Sequence, residues 1–239
     1  MTNLAVNIDH IATLREARGG TQPEPLTGAL LSELAGASGI VCHLREDRRH
    51  INERDVRLLR ETITTKLDLE MAATEEILSI ALEILPELVT FVPEKREELT
   101  TEGGLNVVDN VHYYTNATGI MHDHDIQVSF FIEPSEEQIE AVVKAGGDIV
   151  EFHTGLYANA ITSAGRDSEL ERLYAASEFA SEHGLRVTSG HGLDYHNVRP
   201  ICLIPQMEEI SIGHAIISRA MFVGIDQAVR QMLAAMRGQ

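Results

Sequence analysis

Three residues of this chain have side chains suited to moving protons: His43, Glu70 and His191. Imidazole is the side chain whose ordinary pKa lies near neutrality, so His43 and His191 can each take or give a proton there. Glu70 stands inside the apolar stretch Leu67-Asp68-Leu69-Glu70-Met71, where desolvation would lift its carboxyl toward the range of a working acid or base. A buried carboxylate paired with an arginine would explain Glu70 equally well taken alone. A second kind of chemistry is concentrated in His43-Leu44-Arg45-Glu46-Asp47-Arg48-Arg49-His50, where three arginines and two histidines cluster in a chain of net charge -18. A basic cluster in so acidic a protein reads as an anion site, because the arginine fork matches phosphate and carboxylate oxygens. Gly190-His191-Gly192 and Gly213-His214-Ala215 form further anion features, since glycine lets backbone N–H groups and a helix N-terminus approach a phosphate closely. Two separated anion sites predict two phosphorylated groups.

These residues have to be carried by something, and the sequence shows what. Short apolar runs rich in β-branched residues recur roughly every 30 residues with helical patterns between them, the alternation that builds a parallel sheet. The runs are Leu4 to Ile8, Gly39 to Leu44, Leu67 to Met71, Leu88 to Val92, Gln127 to Ile132, Asp148 to Phe152, Arg186 to Ser189 and Glu209 to Ile212. Eight such strands fit a single (β/α)8 barrel spanning 1–239, with no linker to divide it. In a barrel the C-terminal strand ends converge on one mouth. Asn7, Asp9 and His10 close the first run, His43 and Arg45 the second, and Glu70 the third. Glu94, Lys95 and Arg96 follow the fourth, Glu151 and His153 the sixth, His191 the seventh and His214 the eighth. Seven of eight ends carrying polar residues makes the mouth the expected active site. A doubly wound dinucleotide fold is disfavoured because the first turn holds Asp9-His10 and no glycine-rich fingerprint. An H-x-H pair on the first strand, typical of metal-dependent barrel hydrolases, is also missing, so neither a metal nor a cofactor is expected.

Helices are expected over Glu53 to Thr64, with Val56, Leu59 and Ile63 inward, and from Thr74, with Ile77, Ile80, Ala81 and Ile84 inward. Another is expected over Ser168 to His183, and Ser135-Glu136-Glu137-Gln138 has the form of a capping box. Asn106 to Asp125, rich in Asn, Thr, His and Asp, is poor helix sequence where a fourth helix should lie. The polar stretch Glu94 to Gly104, ending in paired glycines, has the makings of a lid over the mouth.

Composition narrows the partners. The chain has 239 residues, 44% of them apolar, and mean hydropathy of -0.07, enough to bury a core and without a run long enough to span a membrane. Against 37 acidic residues stand 19 basic ones, so nucleic acid and anionic membrane are not expected partners. Among the basic residues only Lys66, Lys95 and Lys144 are lysines. Cys42 and Cys202 show no metal or disulfide spacing and, with no signal peptide at Met1-Thr2-Asn3, point to a cytoplasmic location.

Taken in order, Asn7-Ile8-Asp9-His10-Ile11-Ala12-Thr13-Leu14-Arg15, the 43–50 string, Leu69-Glu70-Met71, Val92-Pro93-Glu94-Lys95-Arg96 and Thr100-Thr101-Glu102-Gly103-Gly104 resemble the pyridoxine 5′-phosphate synthase family. His153-Thr154-Gly155, Gly190-His191-Gly192-Leu193 and Ile212-Gly213-His214-Ala215 continue the resemblance nearly to the end of the chain. It implies a TIM barrel with short extra helices, a transferase that condenses 1-deoxy-D-xylulose 5-phosphate with 3-amino-2-oxopropyl phosphate to pyridoxine 5′-phosphate, phosphate and water. Carried over position by position, it implies that Asn7, Arg18, Gly192, Gly213 and His214 bind the amino-ketone phosphate, and that Asp9, His10, Arg45, His50 and Thr100 bind the pentulose phosphate. Glu70 and His43 would be general bases and His191 the proton donor. A homo-oligomer, an octamer in the family, is implied as well. The sequence departs from the family in Asn106 to Asp125, which carries Tyr113-Tyr114-Thr115-Asn116-Ala117. Alternatives are a phosphosugar isomerase or aldolase on the same barrel, acting on one substrate, or a phospholigand-binding sensor, which would have lost one of the three proton-transfer residues.

Overall fold

The computed structural model describes residues 2–94 and 103–239. Thr100 and most of the expected lid over Glu94 to Gly104 lie outside the described residues. The strands are β1 (Asn3–Asn7), β2 (Gly39–His43), β3 (Lys66–Met71), β4 (Leu88–Phe91), β5 (Gln127–Ile132), β6 (Ile149–His153), β7 (Arg186–Gly190) and β8 (Met207–Ile212). Each pairs in parallel with its sequence neighbour, and β8 closes on β1, giving the expected eight-stranded barrel. Between them run α1 (Asp9–Glu16), α2 (Pro25–Ala35), α3 (Glu53–Thr62), α4 (Glu75–Ile84), α5 (Val111–His122), α6 (Glu136–Ala145), α7 (Gly155–Ala158), α8 (Ser163–Glu182), α9 (Val198–Cys202), α10 (His214–Val223) and α11 (Ile225–Arg237). No helix among the described residues is long and apolar enough to cross a membrane.

The two-residue period of β3 explains how a carboxylate survives in an apolar string. Leu67, Leu69 and Met71 join the core beneath the helices, while the alternate residues Lys66, Asp68 and Glu70 turn into the barrel. There Lys66 Nζ meets a Glu209 carboxylate oxygen at 2.6 Å and the Thr90 hydroxyl donates to Asp68 at 2.8 Å. The barrel axis is therefore polar, and the apolar core is the ring between strands and helices. β6 extends one residue beyond the expected end and takes in His153. β8 starts at Met207, ahead of the expected Glu209.

Asn106 to Asp125 does form a helix, α5, preceded by a 3-10 turn at Val108–Asn110. Packing supplies what propensity does not: Ala117 and Met121 are buried and the Tyr114 ring lies 5.5 Å from that of Phe130. The Tyr113 hydroxyl also donates to the Ala73 carbonyl. Only half of the capping box at Ser135 forms. Ser135 accepts from the Gln138 N–H at 3.4 Å, but the Gln138 carbonyl oxygen turns away to accept from the Val107 N–H at 2.9 Å. The complete box is at Asn52 and Asp55, opening α3. As expected, Val56, Leu59 and Ile63 are buried, as are Ile77, Ala81 and Ile84, with Ile80 only half-buried. α8 starts at Ser163, five residues before the expected Ser168.

Candidate active site

At the C-terminal ends of the strands opens a cavity of about 700 Å³, lined among others by Asn7, His43, Glu70, Glu151, His191 and His214. Its first wall is β1. The Asn7 side chain accepts from the Asp9 N–H at 2.9 Å, and its amide donates to Asp9 at 3.0 Å and reaches Glu70 at 3.4 Å. Asp9 in turn accepts the His43 backbone N–H at 2.8 Å, so two strand ends are locked together by one carboxylate. His43 Nε2 sits 2.9 Å from Glu94 Oε1, and its Nδ1 faces Glu70 Oε2 at 3.9 Å. Burial works to raise the Glu94 pKa, but the hydrogen bond and charge of His43, with the Glu46 N–H, prevail and hold it below the usual carboxylate value.

Glu70 shows the reverse. Burial, then the charges of Asp9, Glu151 and Asp68, push its pKa well above the usual value against the single opposing Asn7 amide. Glu151, facing the cavity from β6, is pushed up to about 8, by burial first and then by Asp68 and Glu209. Asp68, one layer lower, is raised to about 6 by burial, with Lys66 and Thr90 opposing. Burial thus holds all three inner carboxyls above their ordinary pKa values.

His191 approaches from the β7 side with a left-handed φ of 65°, a conformation rarely adopted by non-glycine residues. Thr154 helps to hold it, its hydroxyl donating to the His191 carbonyl at 2.7 Å and also reaching the Gly190 carbonyl. Burial first, then the neighbouring His153, lowers the His191 pKa to about 4, so its ring is neutral at pH 7. The rings of His153 and His191 are 5.2 Å apart. His153 is itself bound to Glu133 at 2.6 Å, and Glu133 also accepts from Arg172 at 3.2 Å and from the Gly104 N–H at 3.2 Å. Glu133 fills the fifth strand end, the one where sequence reading found nothing. Its signal was a carboxylate directly after the apolar run, masked by the adjoining Pro134-Ser135 turn.

The basic loop divides. Arg45, Arg49 and His50 line the cavity, with Asp47 2.6 Å from Arg49. Arg48 turns outward to Glu53 and Glu76. His50 is held from behind: Arg15 binds both oxygens of the buried Asp55 at 2.8 Å each and donates to the His50 carbonyl at 2.8 Å. Burial lowers the pKa of His50 and likewise that of His10. Beside β1, at the end of its neighbour β8, Gly213 precedes α10, whose first residue His214 meets His10 ring edge to ring face at 5.1 Å. A Cβ on Gly213 would stand 3.0 Å from Asn7, and one on Gly192, at φ 80°, would stand 2.8 Å from Ala158. Neither position has room for a side chain, and the φ of Gly192 is itself one that favours glycine. Of the ten carried-over binding residues, eight border this cavity. Arg18 does not: it is exposed beyond α1 and lines a separate shallow hollow with Leu14 and Pro23. Thr100 lies outside the described residues.

Asp9, His43 and Glu70 bring ligand-type atoms within 4.8 Å of one another, close enough for one divalent ion. Their bonding disfavours that use. Asp9 is occupied at both oxygens, by the His43 N–H and the Asn7 amide, and Glu70 accepts from the same Asn7 amide.

Residues 4–238 match the family described as Pyridoxal phosphate biosynthesis protein PdxJ. Pyridoxine 5′-phosphate synthase from Gloeothece citriformis is 55% identical over 239 residues, covering 100% of both chains. The protein of that name from a Synechococcus strain is 56% identical over 236 residues, 99% of each chain. Among solved structures, KGPDC from Streptococcus mutans superimposes with a TM-score of 0.65 at 13% identity, covering 100% of this chain and 98% of that one. At that identity the likeness is one of fold.

Proposed function

The chain belongs to the PdxJ family of pyridoxal phosphate biosynthesis proteins, and from that premise we propose that it runs its reaction, as a transferase, by acid/base catalysis without a metal. The reaction is the ring-closing condensation of 1-deoxy-D-xylulose 5-phosphate with 3-amino-2-oxopropyl phosphate to pyridoxine 5′-phosphate, phosphate and water. The single-substrate isomerase and aldolase readings and the sensor reading are thereby set aside.

One observation carries the mechanistic proposal: His43, Glu70 and His191 border one cavity together with Arg45, His50, Gly192, Gly213 and His214. The chemistry needs many proton transfers. The substrate amine attacks a ketone, water leaves to give an imine, phosphate is expelled and an aldol-type step closes the ring, each with a proton moved. The substrate brings its own amine, so no lysine Schiff base is called for. Glu70 and His43 act as the bases. Burial and like charge raise the Glu70 carboxyl well above its ordinary pKa, and His43 stands beside it at 3.9 Å. His191 is the donor: its ring is held neutral by burial, and a phosphate dianion beside it favours the protonated form that can give a proton.

Arg45, His50, His10 and Asp9 bind the pentulose phosphate, and Asn7, Gly192, Gly213 and His214 the amino-ketone phosphate. Thr100 belongs with the first group by family resemblance alone; the position of Arg18 gives its assignment no support. We also propose a cytoplasmic enzyme, in keeping with the free thiols of Cys42 and Cys202, and a homo-oligomer, octameric as in the family.

The test is an assay of purified protein with both substrates together and with each alone, in chelator, following pyridoxine 5′-phosphate and released phosphate. Product formed only with both substrates, at a rate unchanged by chelator, is the expected result. Dependence on an added divalent ion would overturn the metal-free mechanism.

A further inference from the structure

We propose that Glu94 is a positioning residue for the reaction: by accepting the His43 Nε2–H, it fixes the ring tautomer so that Nδ1, on the Glu70 side, is the nitrogen that takes the proton. The inference rests on the reading of His43 as a base. It starts from a carboxylate that touches no substrate wall feature of its own, yet is tied down at both oxygens. Glu94 Oε1 lies 2.9 Å from His43 Nε2 and accepts the Ala72 N–H at 3.2 Å, and Oε2 accepts the Glu46 N–H at 3.0 Å. Both side chains are about nine-tenths buried or more, at 6% exposure each. The three bonds come from the ends of β2 and β3, so Glu94 is braced against the two strands that carry His43 and Glu70.

An ionised carboxylate has no proton to give, so in the Nε2 contact the imidazole is the donor. A neutral ring with its proton on Nε2 has its lone pair on Nδ1. That atom is 3.9 Å from Glu70 Oε2, too far for a direct hydrogen bond and placed for a substrate atom or a water to come between. When Nδ1 takes a proton, the imidazolium keeps its Nε2–H on Glu94, and the new charge is met by a carboxylate already in place. Without Glu94 the ring could hold its proton on either nitrogen, and one of the two tautomers presents N–H where the base must act. The other charged or titratable groups facing His43 are Asp9 from the β1 end, Glu70 from β3, and Arg45 and His50 from its own loop. Asp9 meets the His43 backbone N–H and Glu70 faces Nδ1, whereas Glu94 is the carboxylate at Nε2.

The deciding variant is Glu94→Gln, which keeps the shape and removes the charge. Its kcat should fall roughly 100-fold with KM for both substrates little changed, and the acid limb of kcat/KM should move to lower pH by about one unit, because a ring without its anion holds a proton less well. Slow exchange of the imidazole C2–H in D2O, read by mass spectrometry, should place the His43 midpoint in the substrate-free protein lower than in the parent by the same amount. That measurement needs no turnover, so it separates failure of this inference from failure of the base assignment. Glu94→Asp retains the charge and should restore the His43 midpoint toward that of the parent; it also serves if Glu94→Gln does not fold, with kcat then reduced by the retracted contact. A Glu94→Gln protein whose His43 midpoint and acid limb coincide with those of the parent would overturn the inference, as would a Glu94→Asp midpoint displaced upward.

Discussion

At the scale of single residues, the site works by setting like charges against burial. Glu70, Glu151 and Asp68 share the barrel axis with one lysine, and each carboxyl is held above its ordinary pKa. Substituting Glu70→Gln keeps the volume and the contact with the Asn7 amide but removes the exchangeable proton. We expect turnover to fall at least about 100-fold with an unchanged circular dichroism spectrum; near-native turnover in a folded Glu70→Gln protein would remove it from the base role. Stability carries a second signature. Glu151 has an ordinary pKa of about 4.3 when unfolded and about 8 when folded, so the folded state binds the extra proton between those values. A raised carboxyl costs nothing below the lower value, and its penalty grows as pH rises through the window. Glu151→Gln should therefore melt close to the parent at pH 4 and above it at pH 9, as differential scanning calorimetry would show. An equal difference at both pH values would mean that Glu151 does not titrate in that window.

At the scale of elements, α5 shows tertiary packing overriding a weak helix sequence. The buried contacts of Ala117 and Met121 and the Tyr114 ring against Phe130 supply the stability that Asn, Thr and Gly withhold. Gly119 is the weakest point of that helix, and a Cβ there would meet nothing within 4 Å. Gly119→Ala should raise stability by about 0.5–1 kcal/mol in urea titration, with kinetics unchanged. The opposite holds at Gly213, where the space for a Cβ is taken by Asn7. The two glycines look alike in the sequence and differ only in what surrounds them.

At the scale of the whole molecule, the barrel leaves an apolar face outside its mouth. Met221 and Phe222 at the end of α10 are 65% and 86% exposed, and Leu14 on the adjoining α1 is 45% exposed. Large apolar side chains left exposed mark an interaction site, and we propose that a second copy of this chain covers them. The double substitution Met221→Ser with Phe222→Ser should lower the sedimentation coefficient at fixed protein concentration. A coefficient identical to that of the parent would mean that these two residues form no contact between copies of the chain.

The strand number, the barrel and the ring of polar strand ends could all be read along the chain, because strand alternation and helix-ending glycines are local rules. So could His43, Glu70 and His191, since each interrupts or ends an apolar run. Which charges face one another was decided only by folding. Nothing local to Val92-Pro93-Glu94 ties Glu94 to His43 across 51 positions, nor Glu133 to His153, nor Arg15 to Asp55 behind His50. The same holds for Arg48, whose type suited an anion site but whose chain direction carries it outward to Glu53 and Glu76. Sequence specifies the residue types and the period that presents them. The pKa values and partnerships arise from distances between strand ends, and those exist only once the barrel has closed.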